Sequence, residues 1–210
     1  MVAGSKGSNP IIQPIAGNTI HLRDICLNDL EAVAYWHLPG HRWQELDAPY
    51  AQPMTPEAVD EWIAKLRERI ERRDFQSPRT RLVIADGMSD QYIGDVSRYW
   101  TKRELSWACV GIGIHDDAYW GRGIGFEALG LWCDYLLQAF PEWVRLGCET
   151  WSGNLGMVRL ALKLGMQEEA RYRLAYPNRG QHFDSVAYGI LRTEWAARYP
   201  RGFAPAINTS

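Results

Sequence analysis

The sequence predicts a mixed α/β domain whose twisted, mostly antiparallel central sheet contains one parallel β-α-β unit, with about four helices around it. Three observations carry this. From Arg81 onward the hydrophobic period changes from helical spacing to alternation, and "RLVIAD", "QYIGDVSRYW" and "ELSWACVGIGI" are separated only by "GMSD" and "TKR", connections of hairpin length. The last of these segments runs into a glycine-rich turn and a helical apolar stripe before "VRLGCETW", a crossover long enough for parallel pairing with "CVGIGI". Finally, 46% of the 210 residues are hydrophobic, enough for a substantial core. One domain over residues 15–196 is expected, with tails at 1–14 and 197–210.

In chain order, "MVAGSKGSNPIIQP" is rich in Gly, Ser and Pro and forms the first tail. Thr19–Arg23 is a short strand. Asn28, with Glu31 three residues on, forms a capping box for a helix reaching about Leu38. The stretch "PGHRWQELDAPYAQPMTPE" is mostly loop and closes on Thr55 and Pro56, the N-cap and first position of a second helix. That helix keeps Val59, Trp62, Ile63, Leu66 and Ile70 on one face. After the three strands, Phe126, Leu129, Trp132, Cys133, Leu136, Leu137 and Phe140 mark the crossover helix. Leu155–Leu164 is a fourth helix, ended by Gly165. "RYRLAYP", the turn "NRGQ" and "FDSVAYGILR" make a final hairpin.

The formal net charge of −2, with Lys and Arg interleaved with Glu from Lys65 to Arg73, excludes the basic stripe of a nucleic-acid surface. No apolar run spans a bilayer, so no membrane partner and a cytoplasmic location are expected. The four cysteines form no C-x-x-C pair and sit in apolar runs, as reduced buried thiols do, and no metal site is expected.

"YWGRGIGFEA" spends three glycines where a strand enters a helix. The first amides of a helix lack intrahelical partners and carry its positive dipole end, so a backbone free to curl there cradles a pyrophosphate, with Arg122 adding a charge-assisted contact. A tight ligand-free turn is the other reading. No Walker A loop fits. A dinucleotide fingerprint is tolerated only from Gly123, and its doubly wound context is missing.

Together, "GIGIHDDAYWGRGIGFEA", "SGNLGMVRLALKLGMQEEARYRLAY" and "GQHFDSVAYGILRTEW" resemble the GNAT superfamily of acyl-CoA-dependent N-acetyltransferases, from about residue 19 to 195. The branch most similar includes ribosomal-protein N-terminal and polyamine acetyltransferases. The resemblance implies transfer of an acetyl group from acetyl-CoA to a primary amine. It implies a pyrophosphate loop at Trp120, Gly121, Arg122, Gly123, Ile124 and Gly125, followed by Phe126; Trp in the first slot departs from the broad family pattern. The pantetheine arm would pair with backbone at Ile112, Gly113 and Ile114, an amide near Ile114 facing the thioester carbonyl. Asn154 would touch the arm, cap its helix, or do both, and Arg159 matches a basic position near the nucleotide.

An alkylammonium, with a pKa of about 10, must lose a proton before it attacks. Glu149, five residues before Asn154, matches a glutamate common in this branch, and partial burial in "CET" would raise its pKa; an exposed strand position is the alternative. His115 is a second base candidate. The proton-donating tyrosine of many relatives is Ala161 here, which leaves Tyr172, Tyr176 or solvent, and Cys109 aligns where the branch often has a glutamate. In the acceptor loop Trp43, Glu45 and Asp47, beside Tyr50, suit a cationic peptide N-terminus or small amine. The resemblance leaves room for a homodimer. A module that keeps the CoA cradle but has lost the chemistry is the competing reading.

Overall fold

The computed structural model describes residues 10–47 and 52–207. An eight-stranded sheet has the order β1-β2-β3-β4-β5-β6-β8-β7. Its strands are β1 (Ile15–Ala16), β2 (Ile20–Arg23), β3 (Arg81–Asp86), β4 (Tyr92–Lys102), β5 (Trp107–Ile114), β6 (Arg145–Trp151), β7 (Gln167–Asn178) and β8 (Gln181–Leu191). Helices α1 (Leu30–His37), α2 (Gln44–Asp47), α3 (Pro56–Glu71), α4 (Ile124–Ala139), α5 (Leu155–Leu164), α6 (Arg192–Arg198) and α7 (Phe203–Ile207) complete it. The α/β class, the β3-β4-β5 hairpins and the parallel β5-α4-β6 unit agree with the sequence reading. The four longest helices are the four expected.

Alternation along the strands sorts side chains onto two faces. Leu82, Ile84, Val96, Ala108 and Val110 point at α4 and α5 and form the main core with Trp132, Leu136 and Leu146. Val83, Ala85 and Tyr92 point the other way, onto α1 and α3, where Leu30, Val33, Leu66, Trp62 and Ile63 form a second cluster. Thr55 caps α3 through its hydroxyl, which accepts from the Ala58 amide at 3.3 Å, with Pro56 at N1. Gly165 ends α5 at φ +95°, the left-handed C-cap a glycine adopts without strain.

Two expectations need correcting. Asn28 is not the cap of α1: a 3₁₀ turn over Leu27–Asp29 precedes the helix, and Asp29 reaches back to the Cys26 amide at 2.8 Å. Asp29 can do this because Arg23 holds its carboxylate in a two-pronged pair at 2.7 and 2.8 Å. The "PGHRWQELDAPYAQPMTPE" stretch, expected to be mostly loop, carries the short α2 at Gln44–Asp47. The segment after Ala196 is not a tail, because Phe203 of α7 is fully buried against α4. Asp134 of α4 accepts from the Trp195 indole at 3.0 Å and from the Phe203 amide at 3.3 Å, fastening α6 and α7 together. At the other end the Ile12 amide donates to Asp24 at 3.0 Å, so the chain is anchored from this point; residues 1–9 and 208–210 lie outside the described residues.

Candidate active site

The parallel pairing between β5 and β6 is confined to Cys109 opposite Gly147. Beyond it the strands part. In β5 the His115 amide bonds to Ile93 of β4, and successive residues alternate, so Gly113 and Gly111 turn their main chain to β4 while Ile112 and Ile114 turn theirs into the gap. On the opposite wall the Ser152 amide bonds to Asp184 of β8, and the same alternation aims the Glu149 main chain into the gap. A slot bordered by unpaired backbone on both sides results. Of the residues expected to line it, Ile112 and Ile114 do. Gly113 does not, since its groups are spent on β4; its missing β-carbon instead leaves room for the His115 ring. The Trp120 indole donates to the Ile114 carbonyl at 2.9 Å, whereas the Ile114 amide meets no acceptor among the described residues.

The slot opens toward the N-terminus of α4. Gly121 and Gly123 sit at φ +74° and +83°, a region that L side chains rarely adopt, with open space where a β-carbon would stand. The Gly123 carbonyl accepts from Phe126 and Glu127 at 3.0 and 3.1 Å, whereas the amides from Gly121 through Gly125 meet no acceptor among the described residues. These donors converge at the positive end of a 16-residue helix. Gly125 packs between Ile114 and Leu160, close to the slot. Arg122 is exposed, over the Tyr119 ring at 5.7 Å. Arg159 is exposed on α5, while Phe126 is half-buried with the Lys163 ammonium 4.4 Å from its ring centroid. Glu127 fixes this end of the helix: its buried carboxylate accepts from the Thr19 amide and hydroxyl at 2.9 and 2.7 Å and from the Ile20 amide at 3.2 Å.

Asn154 bonds through both ends of its side-chain amide. Its side-chain oxygen caps α5 through the Met157 amide at 3.0 Å, and its NH₂ donates to the Leu46 carbonyl at 3.1 Å. The Trp151 indole donates to the same carbonyl at 2.9 Å, so α2 is pinned across the slot. The cap reading of Asn154 is therefore realised.

On the α1 face, Glu149 corrects an expectation: its side chain is exposed, not partly buried, 3.5 Å from the Thr101 hydroxyl. Farther along, a concavity of about 400 Å³ lies between α1, α3 and the sheet, with His37, Trp62, Arg81, Tyr92 and Asp95 in its wall. Trp43 closes one side, its ring 4.3 Å from His115 and 5.3 Å from His37. His115 is 3% exposed, and its Nδ1 lies 3.0 Å from the Tyr92 hydroxyl. Burial pushes its pKa down to about 4, so the ring is uncharged at neutral pH. Asp47, at the end of α2, is exposed and does not line this concavity, yet desolvation and the Asp95 carboxylate raise its pKa. Glu45 does not join Trp43 and Asp47; it turns outward to Arg179 of the β7-β8 turn at 2.7 Å. Tyr50 lies outside the described residues. The sequence reading missed His37, Tyr92, Asp95 and Tyr99; alternation along β4, which puts Asp95 and Tyr99 on the α1 face, was the available signal.

Tyr172 is 65% exposed on the edge strand β7 and Tyr176 stacks on Trp151 at 5.4 Å, so neither stands at the base of the slot. All four cysteines are free, and Cys26 is only half-buried. Among the described residues no helix is long and apolar enough to cross a membrane, and no three His, Cys, Asp or Glu side chains cluster as metal ligands do.

Comparison with known proteins follows this geometry. A family model described as an acetyltransferase (GNAT) domain matches residues 19–167. A GNAT-family acetyltransferase structure from Bacillus anthracis aligns with a TM-score of 0.67 at 17% identity, covering 87% of this chain and 100% of that one. The ribosomal-protein-S5-alanine acetyltransferase of Vibrio fischeri aligns with a TM-score of 0.66 at 18% identity, covering 88% and 99%. A GCN5-related N-acetyltransferase from Brucella melitensis gives 0.65 at 15% identity, covering 88% and 81%. At these identities the structures share the fold. No curated protein matches the sequence.

Proposed function

The chain belongs to the GNAT acetyltransferase family and is an acetyltransferase; from this premise we propose that it transfers an acetyl group from acetyl-CoA directly to a primary amine, at a peptide N-terminus or on a small polyamine. The observation that carries the cofactor half is the row of amides from Gly121 through Gly125 that meet no acceptor among the described residues, continuous with the slot-facing amides of Ile112 and Ile114. A pyrophosphate takes the amides at the head of α4, Arg122 adds its charge, and the pantetheine arm lies along β5 as an extra strand. Arg159 faces the nucleotide end. The Ile114 amide stabilises the oxyanion formed when the amine attacks the thioester.

The acceptor half rests on the concavity beside the slot. Trp43 and Asp47, with the uncharged His115 behind them, offer an aromatic face and a carboxylate to a cationic amine. Glu149 stands on the same face of the sheet and takes the ammonium proton through water. The salt bridge from Glu45 to Arg179 leaves Glu45 as a rim residue that positions α2.

Two measurements test this. Acetyl-CoA is added to the full chain with a panel of free-amino peptides, spermidine and an aminoglycoside, and acetylated product is read by mass spectrometry; the melting temperature is followed in parallel. Turnover on peptide or polyamine is the expected result, and stabilisation without turnover on any amine indicates a binding module. In Gly123→Val the side chain strains a left-handed position and crowds the cradle, so acetyl-CoA binding is lost in a folded protein. Arg122→Ala weakens binding by about 1.5–3 kcal/mol, the range for a hydrogen bond to a charged group. Full-strength binding in Gly123→Val sinks the cradle.

A further inference from the structure

We propose that Arg81 selects the acceptor by binding a carboxylate that the acceptor carries, so that the amine acetylated is the N-terminus of a peptide with Asp or Glu at its second or third residue. This rests on the acetyl-CoA reading above and narrows its acceptor. Arg81 begins β3 and pairs with Ser97 of β4, which pairs with Gly111 of β5. Residues paired across neighbouring strands point to the same side of a sheet; here it is the side that carries α1, α3 and Glu149. One row along, the His115 ring takes the place of a Gly113 β-carbon, and Trp43 packs on that ring at 4.3 Å. The way across the sheet from the slot to the concavity therefore runs over Gly111 and Ser97, a floor of bare backbone and one hydroxymethyl group. Tyr99 edges this floor, its Cε1 3.8 Å from the vacant β-carbon position of Gly111. Arg81 stands at the far end, with its side chain 59% exposed.

Among the described residues the wall of the concavity holds three arginines and two carboxylates. Arg79 is spent: it donates to the two oxygens of Asp24 at 2.7 and 2.9 Å and to the Gln76 and Pro10 carbonyls at 2.9 and 2.6 Å. Arg81 is not. Only its Nη1 is engaged, 2.8 Å from each oxygen of Asp95, while Nε and Nη2 meet no acceptor among the described residues. Those two donors are the fork that grips a carboxylate in two prongs. Arg69 of α3, exposed in the same wall, forms no ion pair among the described residues. His37, held below its ordinary pKa by burial, adds no charge at neutral pH. Two arginines thus face the single carboxylate of Asp95, and one further carboxylate balances the wall. Spermidine, which carries cations only, meets repulsion there.

Strand spacing fixes where the acid sits on the acceptor. β3 lies two strand spacings from β5, about 10 Å. An extended chain advances about 3.3 Å per residue, so a peptide whose amine meets the thioester in the slot brings its second or third side chain to Arg81. The amine end stays beside Trp43 and Asp47, which lie outside the arginine wall.

The test compares the tetrapeptide amides AEAA and AAEA with AQAA and AAQA, alongside spermidine and ε-aminocaproate. Wild type is expected to acetylate the better Glu peptide with a kcat/KM at least tenfold above that of its Gln counterpart, the difference lying in KM. Arg81→Gln/Asp95→Asn removes the ion pair as a unit and strands no buried charge. It is expected to bring the Glu-to-Gln ratio below twofold with the KM for acetyl-CoA unchanged. Arg81→Lys keeps a charge beside Asp95 but loses the fork, so it too lowers the ratio and supplies the reading if the double variant does not fold. A wild-type ratio below twofold overturns the proposal. So does a ratio that survives the loss of Arg81, which assigns the residue a structural role, or faster turnover of spermidine or ε-aminocaproate than of either Glu peptide. Wild type that binds acetyl-CoA and acetylates neither Glu peptide overturns this proposal alone; wild type that does not bind acetyl-CoA overturns the cofactor reading as well.

Discussion

His115 ties the chemistry of one side chain to the stability of the whole domain. Its folded pKa of about 4 lies below its ordinary value of 6.5, chiefly through burial, with His37, Arg81 and His41 adding and Asp95 opposing. Between those two values the unfolded chain binds a proton that the folded chain does not, so stability falls as pH drops through that window and levels off below it. For a residue this enclosed the loss is about 3 kcal/mol. His37, also held below its ordinary value by burial, adds in the same direction. Melting curves from about pH 7 to pH 4 should show a steep acid limb, shallower in His115→Gln; an unaltered limb refutes the assignment. At this scale sequence legibility was mixed. The residue types of Trp43 and Asp47 suited an amine-compatible loop; in the fold Trp43 packs on His115 and His37, and Asp47 is exposed beside them. The exposure of Glu149 was hidden, because "CET" looks equally apolar whether its middle residue faces the core or the open side of the sheet.

Elements defined by local signals were legible: Thr55-Pro56 starts α3, short connections enforce the hairpins, and Gly165 stops α5. The end of the chain was not. α7 is a five-residue helix with no periodicity to detect, and it is stable only because α4 has a hole for it. A β-carbon at Gly130 would overlap the Phe203 ring. Arg192, at the start of α6, closes the other end of α4 by donating to the Leu137, Phe140 and Trp143 carbonyls in and just beyond its last turn. Phe203→Ala should therefore cost about 3–5 kcal/mol, as a buried aromatic does. Gly130→Val should displace α7 and lower the melting temperature comparably. A neutral Phe203→Ala, measured by chemical denaturation, would show that α7 contributes nothing to the fold.

Across the whole molecule, the sheet is two blocks, β1 through β5 and β6 through β8, joined at Cys109 and Gly147 and overlaid by α4 and the pinned α2. A ligand filling the slot bridges both blocks. Acetyl-CoA at a hundredfold excess over its Kd should add about 2.7 kcal/mol of stability. Hydrogen exchange should slow at the Ile112 and Ile114 amides and not at Gly111 and Gly113, whose amides already belong to β4. Uniform protection of all four residues would contradict the assigned direction of the strand edge. The order of elements was legible because each strand connects to a neighbour; the parting of β5 from β6 was not, because pairing is lost between residues that look like any other strand positions.

The main-chain construction of the slot has a further consequence. Replacing Ile112, Ile114 or Ile124 with alanine trims side chains and leaves every N–H in place, so a conventional scan passes over the cradle in silence. Proline at Ile114 deletes the donor itself. The chain can thus drift in composition along this edge and keep its grip, provided the backbone stays bare.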